Sequence, residues 1–439
     1  IRYSGRGTYT LPNGFEYSGE WVDGRIEGNG QATYPNGSVH VGQFRNGEPH
    51  GQGRITFPDG GSYEGTWEDG QISGEGVAEY ANGMRYEGSF LAGKQHGTGT
   101  LTGPDGYVYA GEWVEGVKAG SGEVLYPDGS RYEGEMAQSA PSGTGTLTSA
   151  DGTIYEGAWV EGRIEGEGVL VQPNGNRYEG AFVDGKRSGL GRLLTEAGDI
   201  YEGGWLDDRR HGAGTLTSAD GFIYTGEWVD GQITGIGKAT YADGTIYEGG
   251  FLAGKPDGDG NISYANGATF EGTWRDGVMN GAGIARYADG TVYEGAFKDG
   301  VSHGNGTFTT PDGYSYEGDW VEGQRDGTGV AVYADGSRYE GGFVAGQRSG
   351  EGRMTMPDGH EFEGTWSEGL LNGPGRAVYA NGSTYEGNFV AGRREGTGTM
   401  RFAAGEVYEG EWLDGQPAEA GGVLPETDAI PEEPAEPEG

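Results

Sequence analysis

Cysteine is absent from the 439 residues, which excludes disulfides, thiolate metal sites and a thiol nucleophile. Basic residues are scarce: 29 Lys and Arg stand against 68 Asp and Glu, leaving a net charge of −39. A field of that sign repels nucleic acid and disfavours anionic lipid headgroups. The densest basic pairs, Lys186-Arg187, Arg209-Arg210 and Arg393-Arg394, stand beside acids and form no basic patch. Apolar residues make up only 33% of the chain, and no apolar run approaches the roughly 18–20 residues of a membrane helix.

What the chain has in excess is glycine, 96 residues, and aromatic residues, 12%. Both are ordered by one pattern, Tyr-x-Gly-x-aromatic, which recurs eighteen times every 23 residues from Tyr17 to Tyr408 without an insertion or deletion. The anchors read Tyr17/Trp21, Tyr63/Trp67, Tyr155/Trp159, Tyr247/Phe251, Tyr316/Trp320 and Tyr408/Trp412. His40, Phe270 and Phe362 replace the Tyr, and Met136 replaces the second ring. A register this strict makes each copy one structural unit supported by its neighbours.

Within one copy, Tyr17, Gly19 and Trp21 alternate and share one face of a strand. Gly19, lacking a side chain, lets rings from a neighbouring strand approach the backbone. Asp23 to Gly28 reads as a loop, and a second strand follows from Gly30 with Ala32 and Tyr34 on one face. Each copy closes on Asp-Gly or Asn-Gly in fifteen of seventeen junctions, Ala197 and Ala404 being the exceptions, a strong hairpin signal. Two strands per copy joined by tight turns predict an all-β antiparallel meander. A lone copy cannot cover its own rings, so order must pass from copy to copy.

These residues resemble the MORN (membrane occupation and recognition nexus) repeat family: the Tyr-x-Gly-x-Trp/Phe anchor, Gly24 and the Gly28-x-Gly30 pair stand where its consensus places them. The resemblance spans Ile1 to about Asp414. It implies an elongated, single-layer sheet of about eighteen stacked hairpins, a twisted or curled rod with a groove. It also implies tethering, scaffolding and partner binding, with phospholipid contact for some members. The position after the loop glycine, commonly basic in that family, is Lys or Arg in only seven of eighteen copies, and Gln71, Val117 or Gln232 elsewhere.

The organisation expected is a continuous array over residues 1–415, with a partial copy over 1–16 and eighteen anchored copies from 17. An acidic, Pro-rich tail follows over 416–439. The second anchor alternates Trp and Phe, and the phase slips where Trp205 is followed by Trp228. That slip places a nine-plus-nine junction near 206–227, or else marks loss of one Phe-type copy. The chain opens at Ile1 in mid-repeat, so further sequence upstream is expected.

Trp-type copies carry aliphatic residues at the expected loop tip: Ile26, Ile72, Ile164, Ile233, Met279 and Leu371. At about 19 Å intervals they would form a stripe for a partner or for self-association, unless each folds back over its own Trp. Glu follows the anchor Tyr in fourteen of eighteen copies, a ladder of carboxylates about 10 Å apart. It reads as a solvated face or as a weak divalent-cation site. His50, His96, His211 and His303 occupy one slot of different copies. The closest two are about 20 Å apart, too far to share a zinc. The Gly-x-Gly pairs lack the Lys-Ser/Thr of a phosphate loop.

The reading is a non-catalytic scaffold that holds a protein segment in a sheet groove, with no cofactor, no metal and no catalytic residue. The alternatives are a peripheral phospholipid-binding module and a cation-responsive structural protein of the cell envelope. Strict repetition and the absence of an initial Met point to an exported bacterial protein, with a cytoplasmic location as the alternative.

Overall fold

The computed structural model describes residues 2–418. Most of the Pro-rich tail, residues 419–439, lies outside the described residues. Two compact units divide the chain, Ile1–Ala219 and Asp220–Gly439. The first carries nineteen strands, from Gly5–Thr10 to Arg209–Thr217, and the second eighteen, from Ile223–Val229 to Gln416–Pro417. Within each unit every strand pairs antiparallel with its sequence neighbour, in an open meander not closed into a barrel. Among the described residues there is no helix.

The first strands show how one copy is built: β1 (Gly5–Thr10), β2 (Glu16–Val22), β3 (Arg25–Thr33) and β4 (Val39–Arg45). Between β2 and β3 the turn consists of Asp23 and Gly24, both at positive φ, 47° and 77°. That is the backbone of a two-residue turn of the primed type, which matches strand twist. The expected six-residue loop over 23–28 is therefore wrong: pairing resumes at Arg25, and Val22 faces Arg25 across the ladder. The chain after the turn is strand because so tight a turn leaves nothing to span. Between β3 and β4, Ser38 N donates to Asn36 Oδ1 at 3.0 Å and Gly37 N to Tyr34 O at 2.9 Å, the Asx geometry that Asn-Gly and Asp-Gly favour.

Glycine pairs set the packing. Gly19 and Gly30 face each other across the ladder, and the ring of Tyr17 lies on both. A Cβ on Gly19 would sit 2.3 Å from Tyr17 Oη, and one on Gly30 2.5 Å from Tyr17 Cε2. The ring that fills the space is thus the copy's own Tyr, not one from a neighbouring strand as the alternation alone suggested. Its hydroxyl donates to Glu20 O at 3.1 Å, and the next Tyr, Tyr63, donates to Thr66 O at 3.0 Å. Beyond the glycines the register shifts between Gly19 and Trp21. The bulge includes Gly28 at φ 75°, where a side chain would strain the backbone.

The rings form a continuous ladder in long stretches. Tyr63 meets its own Trp67 at 5.7 Å and the next copy's Phe90 at 5.0 Å; Tyr86 then meets Phe90 at 5.0 Å and Trp113 at 5.3 Å, all edge-to-face. Edge-to-face contact puts the positive ring edge on the negative face and adds to area burial. In Trp-type copies the indole also donates backward, as Trp67 Nε1 does to Gly53 O at 3.1 Å, which ties those copies to the one before.

A flat single-layer sheet could not bury these rings. The side chains of Tyr80 and Gln95 show what happens instead. Tyr80 follows the end of the strand Gln71–Glu79 and Gln95 lies at the start of Lys94–Thr102, with one strand between them. A flat sheet would hold them more than about 20 Å apart. Gln95 Nε2 nevertheless donates to Tyr80 Oη at 2.7 Å. The strands bend over the rings, with the flexing carried by the glycine bulge.

Candidate partner-binding face

Of the expected anchors, Tyr17, Tyr63, Tyr155, Tyr247 and Tyr316 are buried, as are Trp67, Trp159, Phe251, Trp320 and Trp412. Trp21 and Tyr408 are half-buried. Loss of hydration pushes the hydroxyls of Tyr63, Tyr155 and Tyr247 up to about 12, so they stay protonated donors to the backbone. They are framework, with no ring left free for a ligand.

The six aliphatic residues of the expected stripe stand on strands and not on loop tips. Ile26, Ile72, Ile164, Ile233, Met279 and Leu371 lie directly across from Trp21, Trp67, Trp159, Trp228, Trp274 and Trp366. Leu371 is 1% exposed, and the others are half-buried. Ile26 packs on the cluster of Tyr17, Ala32 and Phe44.

That facing slot holds Arg in other copies, and there the bend closes. Arg348 lies 5.0 Å over the Trp366 ring and its Nε donates to Gly369 O at 3.0 Å. Arg394 lies 4.6 Å over Trp412, and its Nη1 and Nη2 donate to Tyr379 Oη at 3.2 Å and Gly415 O at 2.9 Å. Arg325 donates to the Tyr314 hydroxyl and, at 2.8 Å, to Gly346 O. A guanidinium between rings and carbonyls gains cation–π and charge-assisted contacts that offset its desolvation.

The consequence is read at the edge position that ends each second strand. Beside the arginines, Tyr333 and Tyr379 are 4% and 1% exposed; Tyr241, Tyr264 and Tyr287 are 36%, 38% and 47% exposed. The slots across from these three, by the same fifteen-residue offset, hold Pro256, Met279 and Ser302, none long or charged enough to seal a ring. Burial still raises the three hydroxyls above their ordinary range. Among the described residues those hydroxyls have no hydrogen-bond partner. The sequence reading placed Tyr34 on the ring face but passed over this row. The signal was present as Tyr recurring at 241, 264 and 287, two residues beyond the small apolar slot.

The opposite face carries the carboxylates. Glu248, Glu271 and Glu294 rim a cavity of about 950 Å³ whose floor is the backbone of Gly260, Gly272 and Gly283. Part of the ladder is neutralised across strands, as by Lys238 with Glu248 at 2.5 Å and Arg192 with Glu202 at 2.9 Å. Exposed pairs of this kind contribute little to stability. Among the described residues no three His, Asp or Glu side chains converge in a way that could hold a metal ion.

Bent antiparallel hairpins in register, each leaning on the last through rings and glycines, define a tandem β-hairpin repeat protein. The MORN repeat matches nineteen consecutive segments, beginning 2–15, 17–39, 40–62 and 63–85 and ending 362–384, 385–407 and 408–418. The chain belongs to the MORN repeat family. No curated protein matches it. Among solved structures it is similar to the TCP domain of Drosophila melanogaster SAS-4, in complex with a proline-rich motif of Ana2. Identity is 18%, covering 42% of this chain and 96% of that one, with a TM-score of 0.25. It is also similar to the TCP10 domain of Danio rerio CPAP, with 14% identity over 56% of this chain and 98% of that one and a TM-score of 0.16. TM-scores so low do not define a shared overall fold, and these two proteins say nothing about what this chain binds.

Proposed function

We propose that the protein is a non-catalytic scaffold that docks a segment of a partner protein on the open stretch of its ring face. The observation that carries the reading is the contrast along that face. Arg348 and Arg394 cover the edge residues Tyr333 and Tyr379. No arginine stands across from Tyr241, Tyr264 and Tyr287, which stay more than a third exposed although the Phe222 ring touches Tyr241 at 5.5 Å. Tyrosine supplies a large rigid contact at low entropic cost together with a donor, the combination found at protein interfaces. The framework rings are consumed in stabilising the array, so the edge row is what remains for recognition. The acidic balance selects against anionic partners.

A displayed random-peptide library tests this. Selection on the full chain, with counter-selection on the Tyr241→Ser/Tyr264→Ser/Tyr287→Ser variant, is expected to enrich peptides that distinguish the two. An output no different from that of the variant would remove the reading.

A further inference from the structure

The partner's conformation follows from the spacing of the row. Resting on the docking reading above, we infer that Tyr241, Tyr264 and Tyr287 receive a basic, proline-rich segment in the polyproline II conformation, with a proline at every third residue. Successive tyrosines stand one copy apart, which is two strands, so the row repeats about every 9.6 Å. A polyproline II helix rises about 3.1 Å per residue with three residues per turn, repeating about every 9.3 Å. One proline therefore meets each tyrosine, and the mismatch over three copies stays below about 1 Å. An α-helix would have to use positions seven apart, about 10.5 Å, and slips about 2 Å over the same span. An extended strand turns every second side chain away from the face.

The chemistry agrees with the pitch. Pyrrolidine rings pack flat on exposed aromatic rings, and the preformed helix loses little entropy on docking. Its carbonyls have no internal partners, and the three tyrosine hydroxyls are unengaged donors. Charge then fixes what stands between the prolines. Residues 224–300 hold eleven acidic and five basic side chains, and Asp243 and Asp289 stand in the turns next to Tyr241 and Tyr287. Lys or Arg between the prolines is attracted there. The chain's own Pro431, Pro434 and Pro437 share the spacing, but they are separated by glutamates, which the same field repels.

Fluorescence anisotropy of the full chain with synthetic peptides tests the inference. A peptide of Pro-Lys-Ala triplets is expected to bind about tenfold tighter than a scrambled peptide of the same composition. It is also expected to bind more tightly than Pro-Glu-Ala triplets. Tyr264→Ser is expected to weaken it about tenfold at unchanged melting temperature; the more exposed Tyr287→Ser serves if the first variant is destabilised. Equal binding of triplet and scramble, or no effect of either serine, overturns the inference. Should the library enrich Tyr-dependent peptides without a three-residue proline period, the inference fails while the docking reading stands. An empty library output sinks both.

Discussion

His40 stands in a slot that elsewhere holds Tyr or Phe, and its protonation is expected to unfold that end of the array. The imidazole is fully buried, edge-on to Phe44 at 5.1 Å and to Trp67 at 4.8 Å, and neither ring nitrogen has a partner. Burial alone pushes its pKa down to about 4, whereas in the unfolded chain it returns to about 6.5. Between those values the unfolded state binds the extra proton. Stability from keeping the ring neutral is therefore complete above about 6.5 and is lost as pH falls toward 4. At pH 4.5 the loss comes to about 2.5 kcal/mol. His40→Tyr abolishes the titration and supplies a hydroxyl for the backbone carbonyl three residues on, as in Tyr17 and Tyr63. Urea denaturation of both proteins at pH 7.5 and 4.5, followed by Trp fluorescence, isolates the effect because other titrations are common to both. The variant's advantage is expected to grow by about 2.5 kcal/mol between the two pH values. A gap that does not change with pH would refute the reasoning.

Gly76→Ala would place a Cβ 2.4 Å from Tyr63 Cε2 and is expected to cost about 1–3 kcal/mol by overpacking; an unchanged melting temperature would mean the ring does not rest on the glycines. Met136→Phe returns a ring between Tyr109 and Tyr132 and is expected to stabilise by about 1 kcal/mol in the same assay, and a destabilised variant would contradict the ladder's role. Flotation with anionic vesicles at physiological salt is expected to leave the protein in the bottom fraction, and co-flotation would favour the lipid-binding alternative.

Local rules in the sequence were enough to determine the repeat, its two strands, the Asp-Gly and Asn-Gly turns and the shared face of Tyr17, Gly19 and Trp21. Each rests on side-chain alternation or on a backbone preference a few residues long. The same rules went wrong at residues 25–28, because whether a turn takes two residues or six depends on how the following strand pairs. That error put Ile26 and its equivalents on loop tips when they stand across from the tryptophans. Only the tertiary structure decided which rings are sealed. Tyr379 and Arg394 are fifteen residues apart and meet because strands bend across glycine bulges, a geometry that periodicity does not encode. The same bend, with Pro256, Met279 and Ser302 in the facing slots, leaves three tyrosines open, since none of these side chains carries a long polar donor of the kind with which Arg394 and Gln95 reach a tyrosine hydroxyl.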